Sequence, residues 1–309
     1  MAGKHIILVD GNSIAHANHN GAKLTVGGMQ VQAIFGVLKS LRALMQTTSG
    51  DKQLIILWDG KAQFRLDLYP EYKGNRAAMT VEEELHNEAR KKQMPFLEKA
   101  LSLLGVRQLR SPLLEADDLA GHLVPMFVAA GHQVTMVSGD KDWLQMVGTG
   151  VSWFDPIRNR RCDESNFLEF TGYYNTRAFV QGKALQGDGS DNINGVGGIG
   201  KDGAPVFLAK WKSVENFFQA VDEGKAGKLG VVHTRFATPA GRALFERNMK
   251  LMDWSQSRKP AKGEVIVTQA VVDVPRFEAF CERLAFASIL REFTMFLKAF
   301  NITYTKEST

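Results

Sequence analysis

Three short aliphatic runs, HIILV (5–9), QLIIL (53–57) and QVTMV (133–137), constrain this chain more than any other feature. Each is too short for a buried helix and too continuously apolar for a strand with one wet face, so each reads as a strand covered on both sides. Helix-period segments lie between them, most clearly at 29–45 and at 116–130, the second entered through Ser111 and Pro112. This alternation predicts an α/β fold around a mainly parallel sheet. Right-handed crossovers then bring the three strand ends to one edge.

Residues 60–100 break the pattern. KAQFRLDLYPEYKGNRAAMTVEEELHNEARKKQ is densely charged, interrupted by Pro70 and Gly74, and too long for an ordinary connection, which marks a functional insertion. From about Asn175 the chain reads as mostly helical, interrupted by GDGSDNINGVGGIGKDG (187–203). The expected division is therefore an α/β core over 1–174 and a helical subdomain over 175–309. The apolar pattern of 276–300 predicts one or two amphipathic helices that pack back on the core.

With 309 residues and 44% hydrophobic content the chain can bury a large core, which excludes disordered and fibrous classes. Its net charge of +5 favours a polyanionic partner without requiring one. No stretch approaches the ~18 apolar residues of a membrane span, and the apolar run near the start is too short for a secretory signal, so a cytoplasmic protein is expected. Cys162 and Cys281 form no paired motif and read as buried reduced thiols.

Every predicted strand runs into an aspartate: Asp10 after the first, Asp59 after the second, Asp140 and Asp142 after the third. Sites in open α/β sheets sit outside the carboxyl ends of the strands, so these side chains should converge. Glu115, Asp117 and Asp118 open the helix at 116, with Glu115 and Asp118 on a shared face. One acid near a helix start is an ordinary dipole partner worth ~0.3–1 kcal/mol. Seven on one edge are not, because like charges crowd each other's pKa upward unless cations intervene. Oxygen ligands select hard ions, so two divalent cations, Mg²⁺ or Mn²⁺, are expected, serving an in-line displacement at phosphorus. Asp188 and Asp191 could complete the set from the helical side.

The string Gly195-Val196-Gly197-Gly198-Ile199-Gly200 formally matches a dinucleotide fingerprint, but no strand precedes it. A helix, glycine hairpin, helix unit fits better, its backbone amides meeting phosphates without reading bases. In YPEYKGNR, Lys73 and Arg76 are the candidates to grip a reacting phosphate, flanked by Tyr69 and Tyr72.

Taken in order, VDGNS (9–13), LWDG (57–60), PEYKGNR (70–76), EADD (115–118), SGDKDW (138–143), GDGSDN (187–192) and GVGGIG (195–200) resemble the 5′ nuclease/flap endonuclease superfamily. The likeness is greatest to bacteriophage 5′-3′ exonucleases and the 5′ nuclease domain of bacterial DNA polymerase I. It implies a PIN-like core, a helical arch over 60–100 and a helix-three-turn-helix subdomain. It implies that Asp10, Asp59, Glu115, Asp117, Asp118, Asp140, Asp142, Asp188 and Asp191 bind or organise two divalent ions. Lys73 and Arg76, beside Tyr72, would stand at the base of the arch. Gly195 to Gly200, with Lys201, would hold duplex DNA, often with a monovalent ion such as K⁺. Two departures stand out: Lys201 follows Gly200 directly instead of one residue later, and Asn194 replaces a frequent proline.

The expected activity is metal-dependent hydrolysis of DNA at 5′ ends, flaps or nicks, leaving a 5′-phosphate and a 3′-hydroxyl, by a monomer with no polymerase domain in cis. A non-catalytic structure-specific DNA-binding scaffold is the alternative. An RNA-directed nuclease is a third reading, which gives the glycine hairpin no purpose.

Overall fold

The computed structural model describes residues 3–77, 80–268 and 270–304. Its frame is a seven-stranded sheet. In chain order the strands are β1 (His5–Asp10), β2 (Lys52–Trp58), β3 (Arg107–Arg110), β4 (Gln133–Val137), β5 (Val151–Asp155), β6 (Arg160–Cys162) and β7 (Ile266–Thr268), and across the sheet they run β7-β3-β2-β1-β4-β5-β6. The five central strands are parallel and only the two edge strands run against them. The three aliphatic runs occupy the middle, with Leu8 of β1 between Ile55 and Met136. The four additional strands are only three to five residues long, and two of them, RQLR and RRC, are largely polar, too little for an alternation to register.

Alternate residues of β1 serve opposite faces. Ile6 and Leu8 pack with α5 (Ala116–Ala129) and the later helices, whereas Ile7 and Val9 pack with α2 (Gln32–Thr47) and α4 (Val81–Leu103). Both helix-period segments thus form the expected crossovers. The C-terminal pattern resolves into three helices, Val274–Arg283, Ala287–Arg291 and Phe293–Ala299, and Phe277, Phe280 and Phe296 return to the α2/α4 face. Cys162 and Cys281 are buried free thiols. Among the described residues no helix is long and apolar enough to cross a membrane.

The charged insertion contains the short α3 (Gln63–Leu68), a 3-10 turn (Gly74–Ala77) and the start of the 23-residue α4. Thr80 begins α4 with a capping box: its hydroxyl accepts from the Glu83 amide and the Glu83 carboxylate accepts from the Thr80 amide. At roughly 1.5 Å per residue α4 spans about 35 Å, from the sheet edge that carries the aspartates down along one face.

Candidate metal centre

Asp10 ends β1 and caps α1 (Gly11–His19), accepting from the Ser13 amide at 2.9 Å and from the Ser138 hydroxyl at 2.8 Å. Asp59 follows β2 and reaches across to cap α5, accepting from the Ala116 amide at 2.9 Å. Its placement depends on Gly60, where a Cβ would stand 1.8 Å from the Ser111 carbonyl oxygen. Asp140 follows β4 and accepts from the Asp142 amide at 2.8 Å. Asp117, in the first turn of α5, accepts from the Trp143 indole at 2.9 Å. The expected convergence at the carboxyl edge is therefore present, and the positive end of the α5 dipole faces it.

The electrostatics carry the mark of this crowding. Burial, then the charge on Asp59, pushes the Asp10 carboxyl up to about 7, against two hydrogen bonds that favour its ionised form. Desolvation and the charge of Asp140 raise Asp117 well above the usual carboxylate range, with Asp10, Asp59 and Glu115 adding to it. Asp142 is raised by desolvation and by Asp140 despite a lysine at hand.

Two ammonium groups stand among the carboxylates. Lys183 lies 2.9 Å from both Asp142 and Asp188, and these acids outweigh the burial that works against its charge. Lys73 reaches Glu115 at 2.6 Å and Asp191 at 4.0 Å. Burial opposes ionisation of Glu115, but Lys73 and Arg65 hold its carboxyl below the usual range. The Tyr72 hydroxyl donates toward Glu115 at 3.0 Å and Asp191 at 3.1 Å. Lys73 itself has a left-handed backbone (φ 57°), and its amide donates to the Asp191 carbonyl at 2.9 Å. These contacts join the 188–191 loop to the root of the insertion and to the acidic edge. The side chain of Arg76 lies outside the described residues.

Asp118 differs from the other acids. Both its oxygens are taken by the Arg65 guanidinium, at 2.8 and 2.7 Å, and the Glu115 amide donates a third bond at 3.0 Å. Arg65, Lys183 and Trp143 had no role in the sequence reading. The partners of Arg65 and Trp143 lie 26 to 186 positions away, and Lys183 sits among the mostly buried residues of its helix.

Among the described residues no three His, Cys, Asp or Glu side chains close on a single point. The donor set nevertheless suits a hard dication: it is all oxygen, it sits on one edge, and its raised pKa values record positive charge that the protein itself supplies only in part.

Next to the acids, the glycine segment runs between helices Thr176–Gln186 and Gly203–Trp211. Val196 and Ile199 are buried and anchor it, whereas Gly197, Gly198 and Gly200 face solvent. Gly197 and Gly198 have φ of +81° and +91°, a conformation that L side chains rarely adopt, and Arg235 donates to the Gly197 carbonyl at 2.7 Å. Lys201 is exposed just ahead of the second helix.

Residues 5–172 match the family model described as the 5′-3′ exonuclease, N-terminal resolvase-like domain. The chain is 31% identical over 227 residues to the 5′-3′ exonuclease of Buchnera aphidicola subsp. Schizaphis graminum, covering 71% of this chain and 75% of that one. It is 30% identical over 299 residues to the thermostable DNA polymerase I of Thermus filiformis, covering 94% of this chain and 33% of the polymerase. The chain thus spans about a third of the length of the polymerases it matches. The bacteriophage T5 5′-exonuclease with bound zinc superposes with a TM-score of 0.69 at 22% identity, over 96% of this chain and 98% of that one. A T5 flap endonuclease in a pseudo-enzyme-product complex with DNA and metal ions gives 0.69 at 22%, over 97% and 100%. At these identities the two structures establish a shared fold.

Proposed function

The chain belongs to the 5′-3′ exonuclease family, and from that membership we propose a divalent-metal-dependent nuclease that hydrolyses phosphodiesters near the 5′ ends, flaps or nicks of DNA. The observation that carries the reading is the crowding of Asp10, Asp59, Asp117 and Asp140 on a single sheet edge, where burial and the neighbouring acidic charges raise the Asp10 and Asp117 carboxyls. A purely structural cluster would have no reason to accept that cost.

Asp10, Asp59, Asp117, Asp140 and Asp142 are the residues that would hold two Mg²⁺ or Mn²⁺ ions, with Glu115, Asp188 and Asp191 completing the set. When bound, such ions supply Lewis-acid polarisation of a phosphoryl oxygen and lower the pKa of water. The residues around them orient and neutralise. Lys73, with Arg76, grips the reacting phosphate, and Tyr72 holds Glu115 and Asp191 in place. Asp118 acts at one remove, fixing Arg65 and the first turn of α5. Residues 1–174 form the catalytic unit. Residues 175–309 hold the duplex through Gly195, Val196, Gly197, Gly198, Ile199, Gly200 and Lys201, and its closing helices return to the sheet. A monovalent ion such as K⁺ would bind the exposed carbonyls of that turn, and the working unit is a monomer.

Changing Asp140→Asn keeps a residue able to cap the following 3-10 turn while removing one charge. Cleavage of a 5′-labelled flap with Mg²⁺ should then fall by about two orders of magnitude or more. Undiminished cleavage would remove Asp140 from the metal centre.

A further inference from the structure

We propose that Arg90, with His16 and His86, forms a second phosphate-binding subsite on the sheet-facing side of α4, beside the acidic edge. The proposal rests on the nuclease reading given above and adds to it a site for the strand that leads to the reacting phosphate.

A cavity of about 1040 Å³ lies there, lined by Ser13 and His16 of α1, His86, Arg90 and Lys91 of α4, and Asp140. Its volume suits a few nucleotides more than a single small ion. Asp140 joins it directly to the candidate metal centre.

Arg90 is what gives the cavity a ligand preference. Among the described residues its guanidinium has no hydrogen bond or ion pair, and its Nε is both shut from water and without an acceptor. Three other cations at the acidic edge are committed: Lys73 to Glu115, Lys183 to Asp142 and Asp188, Arg65 to Asp118. Burial depresses the Arg90 guanidinium and the charge of Asp59 only partly offsets this, so the group is both near the acids and short of an anion. A half-buried guanidinium left unsatisfied is costly, and a phosphate is the anion whose oxygens match its fork.

The site is also held ready. His86 and Arg90 are four residues apart on one face of α4. The His19 ring packs against the His86 ring at 4.2 Å, and the His86 ring nitrogen meets the Asn20 side chain at 2.8 Å. Gln93, one turn further on, meets the His19 ring at 3.0 Å and accepts from the Ala33 amide at 2.9 Å. These contacts fix α4 against α1 and α2, so Arg90 needs no ordering when an anion arrives. Glu82 and Glu83 also line the cavity, but they lie about two turns away, and Glu83 is tied into the capping box.

The ligand is a strand phosphate, either the terminal monoester or an internal diester. The test is fluorescence anisotropy of the full chain on a nicked duplex with a three-nucleotide 5′ overhang, in Ca²⁺, with the overhang ending in phosphate or in hydroxyl. Arg90→Gln and Arg90→Lys are compared with the unchanged protein, their folding checked by circular dichroism. Because Arg90 has no partner to lose, the Gln variant should fold normally and bind about tenfold more weakly, with Lys retaining most of the affinity. Weakening confined to the phosphorylated overhang identifies the monoester, and equal weakening of both identifies a diester. Unchanged binding of both overhangs by Arg90→Gln overturns the subsite while leaving the nuclease reading intact. Failure of the unchanged protein to bind either DNA would remove both.

Discussion

Arg65 clamps Asp118 through two parallel hydrogen bonds of 2.8 and 2.7 Å, with both side chains almost completely buried. The pair is the hinge pin between the insertion and the acidic edge. Arg65 sits on α3 and also donates to the Leu251 carbonyl at 3.0 Å, while Asp118 fixes the helix that carries Asp117. Removing Asp118 strips the Arg65 guanidinium of its two shortest bonds in a dry site, leaving it the Leu251 carbonyl and a 3.2 Å contact with Glu115. Asp118→Ala should cost about 3–5 kcal/mol in urea unfolding at neutral pH. A loss below 1 kcal/mol would mean that the guanidinium finds another acceptor, and that Asp118 is not chiefly structural.

Lys73 is assigned to the phosphate. It lies at 2.6 Å from Glu115 and above the Tyr72 ring, so Lys73→Met removes charge but little packing. Single-turnover cleavage should fall about 10²–10³-fold, with duplex affinity changed far less. An equal fall in affinity and rate would make Lys73 a general binding residue instead.

The Asp10 carboxyl gives a stability dependence with a definite sign. Its folded pKa of about 7 lies above that of an unfolded aspartate, so between about pH 4 and 7 the folded chain holds a proton that the unfolded chain has released. Without divalent ions, stability should therefore decline as pH rises through this window. Asp117 and Asp142 act in the same direction. Magnesium binds the ionised folded site and should raise Tm more at pH 8 than at pH 5. Scanning calorimetry in EDTA and in Mg²⁺ at both pH values checks this, and a pH-independent magnesium effect would count against it.

The glycine turn predicts a separable defect. Gly197→Ala places a side chain at φ +81°, a strain of roughly 1–2 kcal/mol, in a segment exposed to solvent. Binding to nicked duplex should weaken several-fold while the chain stays folded. Unaltered duplex binding would remove this turn from the DNA interface.

Much of this site could be read directly from residue order. Asp10, Asp59 and Asp140 were legible because a buried strand announces itself by continuous aliphatic residues, and topology then decides where its end lies. Strand β3, RQLR, was not, since its two arginines hide a four-residue segment that pairs with β2 on one side and with the edge strand β7 on the other. The distinction between Asp117 and Asp118 was also hidden. They are adjacent in sequence, and only the arrival of Arg65 from 53 positions away turns one into a structural anchor. Lys183 escaped notice for the same reason, since Asp142 reaches it from a distant part of the sequence while Asp188 follows it closely. Arg90 lay in a run of charges whose solvated and inward faces cannot be separated until α4 is docked.

The account depends on dications entering the crowded carboxylates of one sheet edge, and diffraction from crystals soaked in manganese, recorded at the manganese absorption edge, tests this most directly. The expected result is anomalous density among Asp10, Asp59, Asp117, Asp140 and Asp142, reduced in Asp140→Asn crystals. Clean maps at that edge in well-ordered soaked crystals, with Lys73 and Lys183 still on their acids, would contradict it.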